Sequence, residues 1–425
     1  MINKKINKLL SSVLGIVLTI GILEMPAFAA DNVQTTSAYN TNSILTTDKN
    51  YIVGTSGNYE KNGVKISIAS AIATKHKLKV VILIKSQEPI DNKMSKFADI
   101  LLSYGNNKSN RSSTNYRNID DKTLMITIEK SADKEVFPEK GTLRLDVVIP
   151  KYKINTGIET NVDFSESFKN TIEKDLSINL PYINSIIKKV EVNALGTQIT
   201  YSTHELDSKD DISKFSQADI GGLLLKAGSN IYDLRHSGGS SADGDNHDFI
   251  GILNAQAATY DKIKDQGNLS ILPILCTMTI DEREQVYKEL SKNKDNKHDQ
   301  NSKDITDKVN YPKVFSFNDG TEGEIYNINR TDNNLKIYCK GANELESLLL
   351  ASNMNIYYEF DRTQKVNDYY RGNGQINISK DPKDSLGYIL EFNNVDKDKT
   401  VEVNYDSIIR NIEKYKFGTE VQLTK

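Results

Sequence analysis

The densest run of residues able to bind or catalyse is Arg235-His236-Ser237-Gly238-Gly239-Ser240-Ser241-Ala242-Asp243-Gly244-Asp245-Asn246-His247-Asp248. Asp243, Asp245 and Asp248 offer closely spaced carboxylate oxygens, the hard ligands that calcium takes. An EF-hand loop also needs a glutamate at its twelfth position, and counting from Asp243 that position is Asn254. The same composition serves a surface hairpin loop, where Gly, Ser and Asp supply turn geometry, and this is the preferred reading. His236 and His247 flank the loop, yet no further His or Cys completes a zinc spacing. Arg235, His236 and His247 are therefore candidates for a binding loop.

Nucleophile signatures are missing: there is no Gly-x-Ser-x-Gly, no His-Glu-x-x-His and no phosphate-cradling glycine loop. Arg371-Gly372-Asn373-Gly374 is too short for a dinucleotide fingerprint and reads as a turn. Acidic pairs such as Asp120-Asp121 read as solvated surface charge. No cofactor is implied. Cys276 and Cys339 each fall in a strand pattern. In a secreted protein a disulfide between them would stabilise by about 4 kcal/mol on the chain-entropy model. The alternative, two buried thiols acting as small hydrophobes, fits better with cysteines in separate modules.

The elements that must position these residues are strands. Val64–Ile68, Leu78–Ile84, Leu124–Ile128 and Leu143–Val147 carry β-branched or apolar residues at alternate positions and end at Gly, Asn, Asp or Pro. Lys77–Ser86 is apolar on both faces at its centre, as for a central strand with core on one side and loops on the other. Lys189–Ala194 and Gly196–Tyr201 read as a hairpin around Leu195-Gly196. Leu269–Ile280 is an apolar run in which Pro273 marks an edge or bulge. Helical periodicity is confined to Asp281–Leu290 and Asn343–Leu350. Many short strands with few helices predict an all-β chain of tandem antiparallel immunoglobulin-like β-sandwich domains.

At 425 residues the chain exceeds one ordinary core. Residues 1–29 carry a basic start, an apolar run and Ala27-Phe28-Ala29, the order of a secretory signal peptide. Residues 30–58 read as a polar tether, 59–158 as a first β-sandwich domain and 159–181 as a connector. A second immunoglobulin-like domain is expected over 182–290, a polar linker over 291–309 and a third β-rich domain over 310–425. The body is expected outside the cell or on the outer face of its membrane, touching the membrane only if the signal segment stays uncleaved. With 54 Lys plus Arg against 57 Asp plus Glu the net charge is −3, which gives no basic face for nucleic acid. The absence of tryptophan removes the commonest stacking platform for a sugar.

Tyr59–Ile68 followed by Leu78–Ser86 resembles the opening hairpin of an uncharacterised Gram-positive family. That family forms the extracytoplasmic part of ECF-type anti-sigma-factor-like membrane proteins. Ile231–Leu234, the Gly- and Ser-rich stretch 237–244, Phe249 and Leu269–Pro273 are similar to the immunoglobulin-like domain that follows in that family. The resemblance covers most of 59–282 and, more loosely, 310–405, and it carries no catalytic residues. One departure is that about eight residues precede the apolar run, leaving no room for a cytoplasmic sigma-binding segment. The expectation is a secreted or surface-tethered, non-enzymatic envelope protein, a sensor-like ectodomain or binding module for an extracellular partner. The alternatives are a secreted hydrolase, which would need two carboxylates converging in a pocket, and a structural or adhesion spacer.

Overall fold

Alternation of apolar and polar residues sets the strands, and distant partners set the sheets. The computed structural model describes residues 49–90, 97–105, 112–132, 135–181, 185–204, 219–241, 248–279, 281, 282, 284, 285, 288, 303–305, 313–317, 319–331, 333–358, 376–397, 399–405 and 411–424. Every strand pairing among these residues is antiparallel, and the chain is all-β with a few short helices.

The first module contains β1 (Val53–Gly54), β2 (Asn58–Lys61), β3 (Val64–Ala73), β4 (Lys77–Ser86) and β5 (Asp99–Tyr104). It continues with β6 (Ser112–Asp120), β7 (Thr123–Ser131), β8 (Lys140–Ile149), β9 (Ile154–Asp163) and helix α1 (Ser165–Lys169). One sheet runs β1-β3-β4-β7-β6, with β2 also on β3, and the other runs β5-β8-β9. Ile66, Ile82 and Ile126 of the first sheet share a core with Leu145, Val147 and Ile158 of the second, giving a two-sheet sandwich.

The second module contains β10 (Ile172–Leu180), β11 (Ser185–Asn193), β12 (Gly196–His204), β13 (Asp219–Ala227) and β14 (Asn230–Asp233). β15 (Arg235–Ser241), β16 (Asp248–Ala255), helix α2 (Tyr260–Ile263) and β17 (Leu269–Cys276) follow. The third contains β18 (Lys303–Ile305), β19 (Lys313–Ser316), β20 (Glu322–Thr331), β21 (Asn334–Lys340) and helix α3 (Glu344–Ser352). It ends with β22 (Met354–Tyr358), β23 (Asn377–Lys380), β24 (Tyr388–Asn393) and β25 (Val401–Tyr405); β26 (Tyr415–Phe417) and β27 (Val421–Gln422) close the chain.

The sheets do not respect the partition expected from composition. One sheet runs β10-β11-β12-β16-β15, but the other wall of the second module belongs to a ten-stranded sheet, β19-β20-β21-β24-β23-β14-β13-β17-β26, with β27 also on β17. β14 pairs with β23, Ile231 opposite Ile378, so the second and third blocks are one sheet. β26 and β27 return to β17, which makes the third block an insertion between β17 and β26.

The cause is visible in β17, where all eight residues are buried. Leu269 and Ile271 face the core of the second module, with Val190, Ile199 and Leu253. Leu272 and Ile274 face the opposite core, with Ile337, Leu349, Met354 and Val403. β13 behaves the same way, Leu223 and Leu225 on one side and Leu224 on the other. These strands form a wall between two cores, and removing either core would leave a row of apolar side chains in water.

Four expectations are corrected by these pairings. The 159–181 connector is occupied by the end of β9, α1 and β10, the last of which ladders onto β11. Within 291–309, Lys303–Ile305 adds a strand to β25. The end of the 30–58 tether is folded, with Tyr51 buried and β1 paired to β3. β1 and β18, two and three residues long, are too short to show a period, so the sequence pattern passes over them. Pro273 is not at an edge: β26 pairs with Ile274–Cys276 and β27 with Ser270-Ile271, so the proline falls in the gap, where its carbonyl accepts from Gly418 N (2.8 Å).

The helical expectations agree with the structure. Asn343 caps α3, its Oδ1 accepting from Glu346 N at 3.0 Å while Glu346 Oε2 accepts from Ala342 N. Described residues between 281 and 288 are helical after a reciprocal cap, in which Glu282 N donates to Thr279 Oγ1 and Thr279 N to Glu282 Oε2.

Candidate functional site

The alternation Val190-Glu191-Val192 sends the valines into the core and the glutamate outward. Cross-strand register then extends that outward position sideways: Glu173 is opposite Glu191, Glu191 opposite Gln198, Gln198 opposite Asn254, and Asn254 opposite Arg235. Partners directly opposite share a face, so these five residues form a polar rung across all five strands of the sheet.

The turn between β3 and β4, Lys75-His76-Lys77, meets this rung. Lys75 Nζ lies 2.6 Å from Glu173 Oε2, and Lys189 pairs with the other oxygen of the same carboxylate. His76 Nε2 is 3.4 Å from both Lys189 Nζ and Glu191 Oε2. Lys77 Nζ lies 2.9 Å from the side-chain oxygen of Asn254, in the amide orientation that lets both amide atoms find suitable partners. Beside the rung, Ala194 at the tip of the β11–β12 hairpin is buried against Tyr51, Ile72, Val81 and Met125, with Leu83 and Leu195 packed around them. The outer face of β4 is therefore covered by a hairpin loop of the neighbouring module.

The two lysines on Glu173 hold its carboxyl down at about 2. Burial lowers the ammonium of Lys77, and that of Lys79 beside it, below the ordinary lysine value. Glu191 is 2% exposed; its Oε1 accepts from Asn193 Nδ2 at 2.7 Å, but its Oε2 accepts no hydrogen bond among the described residues. Glu173 gives the junction a pH dependence. Because its carboxyl is depressed from 4.5 to about 2, its stabilisation is complete above pH 4.5 and is lost as pH falls from there through 2. In urea unfolding followed downward from neutral pH, Glu173→Gln should be the weaker protein at neutral pH and should lack the wild-type loss across that window.

The residues singled out in the sequence fall elsewhere. Arg235 opens β15 at the end of the rung and is ion-paired with Asp233. His236 is half-buried, edge-on to Tyr201 with ring centroids 6.5 Å apart, and burial favours its neutral form. Asp243, Asp245 and His247 lie outside the described residues, and Asp248 begins β16 opposite His204. Among the described residues no three His, Cys, Asp or Glu side chains gather as a metal site. Asp381 and Asp384, adjacent in the third module, close turns by accepting from Lys383 N and Leu386 N.

Cys276 and Cys339 are both buried free thiols, in β17 and β21, with four strands between them in the sheet order. The disulfide alternative is thereby corrected: Cys339 packs in the core around α3, Cys276 is buried at the end of β17, and burial raises both thiol pKa values. Titration with a thiol reagent should find two groups per chain after unfolding without reductant and almost none before.

Two shallow clefts lie on the first module. One, of about 310 Å³, is lined by Asn62, Gln87, Glu88 and Tyr152 among others, and the second, of about 330 Å³, by Tyr51, Lys140 and Asp163 among others. In the second, Ser165 Oγ donates to Asp163 Oδ1 at 2.5 Å at the start of α1, and in the first the Ser86 and Tyr152 hydroxyls lie 3.0 Å apart.

No family model matches the chain, and no curated protein matches it. Among solved structures it is similar to "the conserved domain protein from Bacillus anthracis", at 16% identity over 61% of this chain and 83% of that one, with a TM-score of 0.39. A marsupial T cell receptor aligns with 8% identity over 85% of this chain and 99% of the other, with a TM-score of 0.13. Neither likeness bears on function.

Sequence reasoning missed the rung because its members come from five strands and a turn with no local spacing in common. The available signal was indirect: Lys75-His76-Lys77 is a cationic turn, and Glu191 and Asn193 occupy the outward positions of a strand otherwise reading as core.

Proposed function

We propose that the chain is a non-enzymatic extracytoplasmic binding protein whose modules act as one scaffold and which takes up an extended segment of an envelope or extracellular protein at the β5 edge. The observation that carries this reading is Leu101. It is 63% exposed on a strand that, among the described residues, ends its sheet and contains neither Lys nor Pro, the residues that usually blunt an edge. Strand addition there would supply main-chain hydrogen bonds, while Leu101 would meet an apolar side chain of the partner. Residues 1–29 support export. The packed junctions support a fixed presentation of that edge.

The test is a photoreactive residue at position 101 of the full chain in the producing cell, compared with one at exposed Lys151. A discrete protein adduct at 101 only is expected. Equal labelling at both positions, or none at 101, overturns the reading.

A further inference from the structure

One end of the rung holds the reactants for an amide exchange. Lys77 on β4 and Asn254 on β16 belong to different modules, yet Lys77 Nζ lies 2.9 Å from the Asn254 side-chain oxygen. In the amide orientation that gives both amide atoms suitable partners, that oxygen also accepts from Ser237 Oγ at 2.5 Å, while the amide nitrogen donates to the Leu253 carbonyl at 3.3 Å. Burial favours the free amine of Lys77, which is the nucleophilic form. Glu129 faces the same amine from β7, where it stands opposite Lys79, and Glu191 faces it from β11. Asn254 is half-buried, which leaves a route out for a small leaving molecule.

We propose that Lys77 and Asn254 become joined by a side-chain amide bond that locks the first module to the second. The lone pair of neutral Nζ adds to Asn254 Cγ, and the Cγ–Nδ2 bond breaks. Glu129 relays the proton lost by Nζ to the departing nitrogen, which leaves as ammonia. Amine plus primary amide gives secondary amide plus ammonia, so the step needs no oxidant, cofactor or co-reactant. Proximity supplies the drive, because two groups held within reach react as one molecule. The junction thus gains a covalent tie in a chain whose two cysteines stay unpaired.

The test is the intact mass of the purified full chain under denaturing conditions, with fragment sequencing. The expected mass is lower by one ammonia, with a branched peptide joining the segments around 77 and 254. Lys77→Ala and Asn254→Ala should each restore the sequence mass, and Glu129→Gln should slow the loss in folded protein whose circular dichroism is unchanged. A sequence mass in the wild type would mean that the contact is only a hydrogen bond and would overturn the proposal. So would a loss of ammonia that persists in Lys77→Ala, since that marks succinimide formation at Asn254.

Discussion

Ile271→Ala and Leu272→Ala, neighbours on β17, should each destabilise the chain by about 2–5 kcal/mol, the range for truncating a buried aliphatic side chain. The informative part is that they empty different cores. Ile271, 0% exposed, removes contacts from the core of the second module, and Leu272 removes contacts from the core around α3. If β13, β14 and β17 form one wall, neither core can open without exposing the back of the other. Both variants should then shift a single transition covering the second and third modules, seen at the same denaturant concentration by tyrosine absorbance and by hydrogen exchange in β11 and β24. Two separate transitions, with only one of them moved, would mean that the wall does not couple the cores.

The second large effect concerns one turn. Gly196 has φ +121°, a conformation that residues with a side chain rarely adopt, and a Cβ there would sit 2.7 Å from the Ala255 carbonyl oxygen and 2.8 Å from Gln256 Cα. Both neighbours are backbone and cannot swing aside. Gly196→Ala should therefore cost about 3 kcal/mol or more, the strain of a disallowed conformation plus the displacement of β16. Because Ala194 and Leu195 are carried by the same hairpin, the loss should appear at the junction, as faster amide exchange in β4 and β7 of the first module. Gly267→Ala serves as the control, since it also has positive φ but open space around it, and should cost about 1 kcal/mol. Equal losses for the two variants would remove the argument from close approach.

The strand content and the antiparallel class were legible because alternation is local: Val64–Ile68, Leu124–Ile128 and the hairpin at Leu195-Gly196 can each be read within ten residues. The two-faced runs at Lys77–Ser86 and Leu269–Cys276 were legible as buried strands, but periodicity does not say what covers the second face. In β4 the cover is Ala194 and Leu195, and in β17 it is the insertion. The domain boundaries failed for the same reason, since Ile231 finds Ile378 and Ile274 finds Phe417 across stretches in which composition changes sharply. A polar segment marks where the chain meets water, which is not the same as where one core ends. Of the residues first singled out, Arg235 does stand at the end of the rung, although Asp233 engages its side chain.

The return of Tyr415–Gln422 to β17 also orders events in time. A chain that emerges amino end first can complete the first sandwich as soon as β9 is available, whereas the wall of the second remains one neighbour short until residues 415–422 have appeared. Until then Ile271 and Leu272 lie on an open ladder, and the intervening block has to fold against a partner still waiting for its own final strands. Removing residues 415–422 would thus leave the first module intact and strand the other two in an unfinished state, so a cut there should behave as a folding defect far from the cut.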